Sequence, residues 1–518
     1  MPKHPARFAA SLLAVQLALV SSVAAQSDTR LAEAAMKRDA VALRRLVEQK
    51  ADVNAPGRDG TPPLHWLVRV DDLESAGLLI RSGADATRAN RYGVTPIFLA
   101  CANGNVGMMR LLLDAGADAN TPDPAGETPL MSAARVGNAD AVSLLLERGA
   151  VLDATDPEFQ QTALMVAVRE NHPAVVKLLI DRKADVNART RTGRTPAWVL
   201  PNSVPGFGHG IGIVRGGLPE RGSRYLIPGG MTPLLYAARD GRLESARLLV
   251  AAGADVNQTD PNGVTPLLMA ITNNHVDVAR FAIERGAAIN VVDWYGRTPL
   301  WAAVEARNMD VDNGTFENGV DREPLLALIK GLLAGGADPN ARTTETPPIR
   351  RQMLRSTGSL SWVDFTGQTP FLTASLSADL TVMQLLLDWG ADPYIPTLGG
   401  TTPLMAAAGI NWVVDQTFDE GPNARLDAVK YCHGLGMDVN AVNSMGLTAV
   451  HGAANRGSDD IIQFLVGKGA KLDVKDKEGR TPLTWAEGVF LATHPAQAKP
   501  TSVALIKQLM GNGAVAQR

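Results

Sequence analysis

The residue types that could carry chemistry in this 518-residue chain are few and scattered: eight histidines, two cysteines and some acidic loops. His209 stands within Gly206-Phe207-Gly208-His209-Gly210-Ile211-Gly212, where close glycines could let a backbone cradle phosphate. A phosphate loop needs a strand before it and a helix bearing Lys-Ser/Thr after it, and neither pattern is present. The stretch reads instead as a loop that touches a partner, with Phe207 and His209 as its contacts. Asp310 to Asp321 offers oxygens at nearly the spacing of a calcium loop. Its Gly falls at position five rather than six, and position twelve is Asp rather than Glu, so a solvated acidic loop is expected. His65 and His451 sit early in apolar helical segments, where an imidazole is expected to bond backbone in a neighbouring turn. His275 follows Asn274 in a short turn and reads as structural. Cys101 and Cys432 fall in apolar rows far apart in the chain and read as small core residues. The sequence has no Cys/His metal cluster, haem-attachment motif, nucleophile elbow, zinc-protease helix or Walker loop. No catalytic residue, metal or cofactor is nominated, and the chain is expected not to be an enzyme.

The elements that would position any site are more legible. Gly93-Val94-Thr95-Pro96-Ile97-Phe98-Leu99-Ala100 is one instance of a phrase that returns about every 33 residues, with its Thr at 61, 95, 128, 162, 195, 232, 265, 298, 369, 402, 448 and 481. A fixed period of this size means stacked supersecondary units. Thr is suited to cap a helix, and Pro to its first position, where a missing N–H costs nothing. Between 95 and 128, the pattern predicts a helix from Thr95 to about Asn103, broken by Gly104, and a second from Val106 to Asp114. Gly116 then takes a left-handed turn, and Asp123-Pro124-Ala125-Gly126 is a β-turn. Lys50 and Lys183 stand where that left-handed Gly is expected, which predicts strained helix ends.

The Thr-Pro-Leu start, the Leu-Leu-Leu run, the Gly-Ala-Asp end and the Asp-x-x-Gly turn resemble the ankyrin repeat from residue 29 to about 515. Gly126-Glu127-Thr128-Pro129-Leu130 and Gly253-Ala254-Asp255-Val256-Asn257 show it well. The resemblance implies an all-α, right-handed α-solenoid of about a dozen helix-turn-helix/β-turn units. A stack in which each unit touches only its neighbours also escapes the size limit of a single core.

The organisation expected is a signal peptide at 1–25, an N-terminal capping unit at 26–57 and a first repeat block at 58–200. A Gly/Pro-rich loop or degenerate repeat follows at 201–230. A second block spans 231–515, with inserts near 308–323, 342–363, 409–424 and 488–499. The signal reading rests on Lys3 and Arg7, an apolar run from Phe8 to Val20, and the small residues Ser22-Val23-Ala24-Ala25. That run is shorter than the roughly 20 residues that span a bilayer. Cleavage near Ala25 would place the chain in the periplasm or outside the cell, with no membrane span left.

Fifty Lys and Arg oppose 53 Asp and Glu, for a net charge of -3, and no basic stripe stands out. This gives no footprint for nucleic acid. Trp66, Phe98, Trp198, Tyr236, Trp301 and Trp485 lie in first helices and are expected in the core. Trp362, Phe365, Trp412 and Phe418 lie in or beside inserts, as do Arg350, Arg351 and Arg355. Binding energy concentrates in Trp, Tyr and Arg, so these are the candidate partner contacts. The resemblance implies protein–protein interaction. The expected function is an exported, monomeric scaffold or regulator that binds a partner protein through its concave face and inserted loops. Two alternatives stay open: a secreted effector acting on other cells, and an enzyme or small-ligand receptor whose inserts form a pocket.

Overall fold

The computed structural model describes residues 28–193, 229–308, 322–345, 363–411, 423–489 and 496–516. The signal segment and most of each predicted insert lie outside these residues. Chain contacts divide the molecule into two compact units, Met1–Asp185 and Val186–Arg518. Among the described residues each unit is a stack of antiparallel helix pairs joined by turns, with no strand. The fold is therefore an all-α solenoid.

Local sequence chemistry sets the helix ends. The first helix of the 95–128 unit is Pro96–Asn103, stopped by Gly104 at φ 70°, and the second is Val106–Asp114. At Thr128, Thr162, Thr232, Thr265, Thr298, Thr369, Thr402 and Thr481 the hydroxyl accepts the N–H three residues on, as from Met131 at 3.2 Å. Such a cap contributes about 1 kcal/mol. Second helices are capped by Asp or Asn, as at Asp39, Asp72, Asn105 and Asn138. Lys50 and Lys183 do take the left-handed backbone, at φ 58° and 74°. Each helix pair buries an Ala- and Leu-rich face, as at Ala100, Met108, Met109 and Leu112. Trp301 and Trp485 are core residues as expected.

At several turns an asparagine at the base clamps one repeat to the next. Asn120 donates to the Gly149 carbonyl at 3.0 Å and accepts from Val151 N at 2.8 Å. Asn54, Asn290, Asn340 and Asn440 do the same to the next helix end. Asn187 clamps Gly253 and Asp255, at 3.4 and 3.0 Å. The Asn54 and Asn120 clamps span 29 residues, whereas this one spans 66. The described residues at 186–193 thus dock on the unit that starts at Thr232 by the contact that elsewhere joins neighbours. Residues 194–228, which hold most of the expected loop or degenerate repeat, lie outside the described residues.

Candidate partner-binding surface

The turn that precedes each first helix forms a finger, and its base is built by one device. Asp123 Oδ1 accepts from Ala125 N at 3.0 Å and Glu127 N at 2.8 Å, while Gly126 closes the turn at φ 85°. Asn90, Asp260, Asp293, Asn443 and Asp476 hold the residues two and four on in the same way. A side-chain oxygen that satisfies two backbone donors at once makes the base rigid. The tip residues enter that closure only through backbone N–H groups, as at Tyr92, so their side chains differ from finger to finger. Tyr92 is 56% exposed, Phe159 53% and Leu398 66%. The Arg91 guanidinium lies over the Tyr92 ring at 4.7 Å. These tips were missed when aromatics were sought only in the inserts, although their place just after the turn's Asp, Asn or Thr was readable.

Of the sequence-nominated contacts, Phe207, His209, Arg350, Arg351, Arg355, Trp362, Trp412 and Phe418 lie outside the described residues. Phe365 does not, and it is a correction: its side chain is 1% exposed. It precedes the tip Thr366, and the finger packs it inward with Val363. A ring so enclosed is core and cannot anchor a partner.

The imidazoles serve the scaffold, as expected. His65 Nε2 lies 3.0 Å from the Val94 carbonyl of the next finger, and burial lowers its pKa. His275 Nε2 bonds the Arg239 carbonyl at 2.9 Å, and His172 does the same to Arg135. His451 Nδ1 accepts from the Thr448 backbone N–H at 3.1 Å, and burial pushes its pKa down to about 4. Cys101 and Cys432 are buried, and burial pushes both thiols up, Cys432 to about 12. Neither is a thiolate at neutral pH. Among the described residues no group of His, Cys, Asp or Glu could hold a metal ion, and no helix is long and apolar enough to cross a membrane.

Comparison with known proteins agrees with this architecture. The family model described as ankyrin repeats in three copies matches residues 31–123, 68–156, 118–190, 234–312 and 420–488, together more than half of the chain. The chain is 29% identical over 137 residues to ankyrin repeat and SOCS box protein 3 from Bos taurus, which covers 26% of this chain and 24% of that protein. It is 37% identical over 57 residues to an ankyrin repeat-containing protein from Schizosaccharomyces pombe, covering 11% and 28%. It thus spans about a quarter of the length of these curated relatives. Among solved structures, the human ASB11 ankyrin repeat domain is 23% identical with a TM-score of 0.38, covering 50% of this chain and 98% of that one. The ankyrin repeat domain of Bcl-3 is 27% identical with a TM-score of 0.38, covering 49% and 98%. With a family match over most of its length, carried by the Thr-capped helices and Asp-x-x-Gly fingers, this chain belongs to the ankyrin-repeat family.

Proposed function

We propose that this protein is an exported scaffold or regulator that holds a partner protein along its fingers and first helices. Ankyrin repeats generally mediate protein–protein interaction. The observation that carries the reading is the division of labour within a finger. The base is closed by a side-chain oxygen of the finger's first residue, as at Asn90, Asp156 and Thr397, while the tips present Tyr92, Phe159 and Leu398 to solvent. Variable side chains on a fixed frame suit recognition of a macromolecular surface, where a few aromatic anchors supply most of the affinity. Export is supported by the basic, apolar and small-residue order of residues 3–25.

The test uses the mature chain as bait against an envelope extract, beside a Tyr92→Ala/Phe159→Ala variant. Loss of at least tenfold in retained partner, with an unchanged melting temperature, is expected. Equal retention by the two baits rules out the tips as anchors. Fractionation with N-terminal sequencing checks export, and a full-length cytoplasmic product removes that half of the proposal. A product found beyond the envelope instead favours a secreted effector.

A further inference from the structure

Two fingers of the second unit are interrupted by long insertions, and the same four residues stand at the foot of both. They are Asn187-Ala188-Arg189-Thr190 and Asn340-Ala341-Arg342-Thr343. Fingers of regular length start on Asp or Asn at the Thr place, as at Asn90, Asp123, Asp260, Asp293, Asn443 and Asp476. Thr397 starts a regular finger too, but Pro396 rather than Arg precedes it.

The geometry at the two feet is the same. Thr190 N donates to the Met231 carbonyl at 3.0 Å, and Met231 N returns a bond to Thr190 Oγ1 at 2.8 Å. Thr343 N donates to the Gln368 carbonyl at 3.0 Å, and Gln368 N returns a bond to Thr343 Oγ1 at 3.0 Å. In a regular finger the corresponding pair, Asp123 and Glu127, is four residues apart. Here the pairs are 41 and 25 apart, so the insertions add 37 and 21 residues. Each arginine then makes two bonds. Arg189 donates to the carbonyls of Gly230 at 3.4 Å and Thr259 at 2.9 Å. Arg342 donates to those of Gly367 at 3.2 Å and Pro396 at 2.7 Å. Gly230 and Gly367 hold the same place, two residues before the capping Thr of the next helix. Thr259 and Pro396 likewise match, each just before the first turn residue of the following finger.

We infer that Asn-Ala-Arg-Thr is a joint for carrying long insertions in the finger without disturbing the stack. An Asx turn closes only when the chain returns within four or five residues, as at Asp123 and Asp156, because one short side chain must reach every N–H group it holds. Thr makes no such demand: its hydroxyl bonds the returning strand wherever that strand comes from. The Arg guanidinium ties the returning Gly to the next finger, through Nη1 alone at Arg189 and through Nε and Nη2 at Arg342, and Asn clamps the next helix end. The finger is thereby closed by residues at its foot alone, with Arg189 and Arg342 as positioning residues there.

The experiment excises residues 192–228 from the full chain, leaving Thr190-Arg191-Gly229-Gly230-Met231-Thr232 in the regular finger length. The excised protein is expected to keep a cooperative urea transition with an unchanged midpoint and slope. In the intact chain, Arg189→Ala should speed amide exchange at Met231 and Asp255 about tenfold. In the excised chain it should do so less than threefold, since the shortened finger closes locally. Arg342→Lys should behave at Gln368 and Asp392 as Arg189→Ala does at its own sites, because the two carbonyls there are held by separate nitrogens, Nε and Nη2, which one ammonium does not replace. A broadened or lost transition on excision would show that 192–228 is a structural unit and overturn the proposal. Unchanged exchange on loss of Arg189 would overturn it equally.

Discussion

The fingers of the two compact units meet their neighbours in different ways. In the second unit, backbone donors tie finger to finger. Trp294 N bonds the Asn262 carbonyl at 2.8 Å, Thr344 N bonds Tyr295 at 2.8 Å and Leu398 N bonds Thr366 at 2.8 Å. Ser444 N continues the series to Gly399, and Lys477 N to Met445. Among the described residues of the first unit no such bond occurs. At two of these fingers the reason is written at one position: the residue after the turn's Asp is Pro124 or Pro157, and proline has no N–H to give. Their rings pack on the preceding glycines instead, so close that a Cβ on Gly126 would lie 2.1 Å from Pro157 Cδ. Arg91 holds that place after Asn90 and makes no such bond although it has an N–H. Within the second unit Pro261 holds the same place, and there Arg189 makes the tie.

Charge is divided in the same way. In the first unit the ion pairs lie on the surface, such as Lys177–Asp181, and contribute little. The second unit buries Asp379 between Arg307 and Arg322, at 2.9 and 3.2 Å. These arginines flank the inter-helix insert at 309–321, and Arg307 also donates to the Arg322 carbonyl at 2.7 Å. The difference teaches that regular units need only short-range capping, whereas interrupted ones are fastened by longer polar side chains.

The largest test of that contrast removes the buried carboxylate. Asp379→Ala strands Arg307 in the core and uncaps the helix Leu380–Asp388. It should lower stability by about 3–5 kcal/mol, read from urea unfolding. A loss below about 1 kcal/mol would mean that this fastening is ornamental. Next in size is acid. Burial depresses the His451 pKa to about 4 from the ordinary 6.5, so the folded chain favours the neutral ring. The stability this adds is complete above pH 6.5 and disappears as pH falls towards 4, by roughly 3 kcal/mol. Thr448, Asp476, Arg480 and the Trp485 ring face that imidazole. His65 shifts in the same direction in the first unit. Asp476 counts only at lower pH: burial raises its pKa, but bonds from Arg480 and Trp485 outweigh that and hold it below the usual range. Urea midpoints between pH 7.5 and 4 should therefore fall, and His451→Gln should flatten the profile. The smallest effect comes from Pro157→Ala. The new N–H contributes about 0.5–1.5 kcal/mol if it bonds the Ala125 carbonyl. Loss of proline's restriction on the unfolded chain costs about 0.4–1 kcal/mol. Net stability should barely move, while a newly protected amide at residue 157 appears in hydrogen exchange. Without that protection, the proline is not what separates the two sets of fingers.

Much of this was readable in advance where the partners are close along the chain. The Thr caps, the left-handed Lys50 and Lys183, and the structural roles of His65 and His275 all follow from groups placed by the repeat. Phe365 was misjudged because insert boundaries were inferred from spacing alone. It lies just beyond the expected insert at 342–363, and with Val363 it joins the core. Thr190 was passed over because its partner, Met231, is 41 residues away.

By itself the sequence determined the unit: where helices start and stop, which face is apolar, and which turn leads onward. These depend on hydrogen bonds spanning two to four residues, whose donors and acceptors are adjacent in the text. Only the tertiary structure decided which units are neighbours and which fingers are tied. The Asn clamps and arginine ties join residues from 25 to 70 positions apart. Spacing of that kind exists only once the stack has formed.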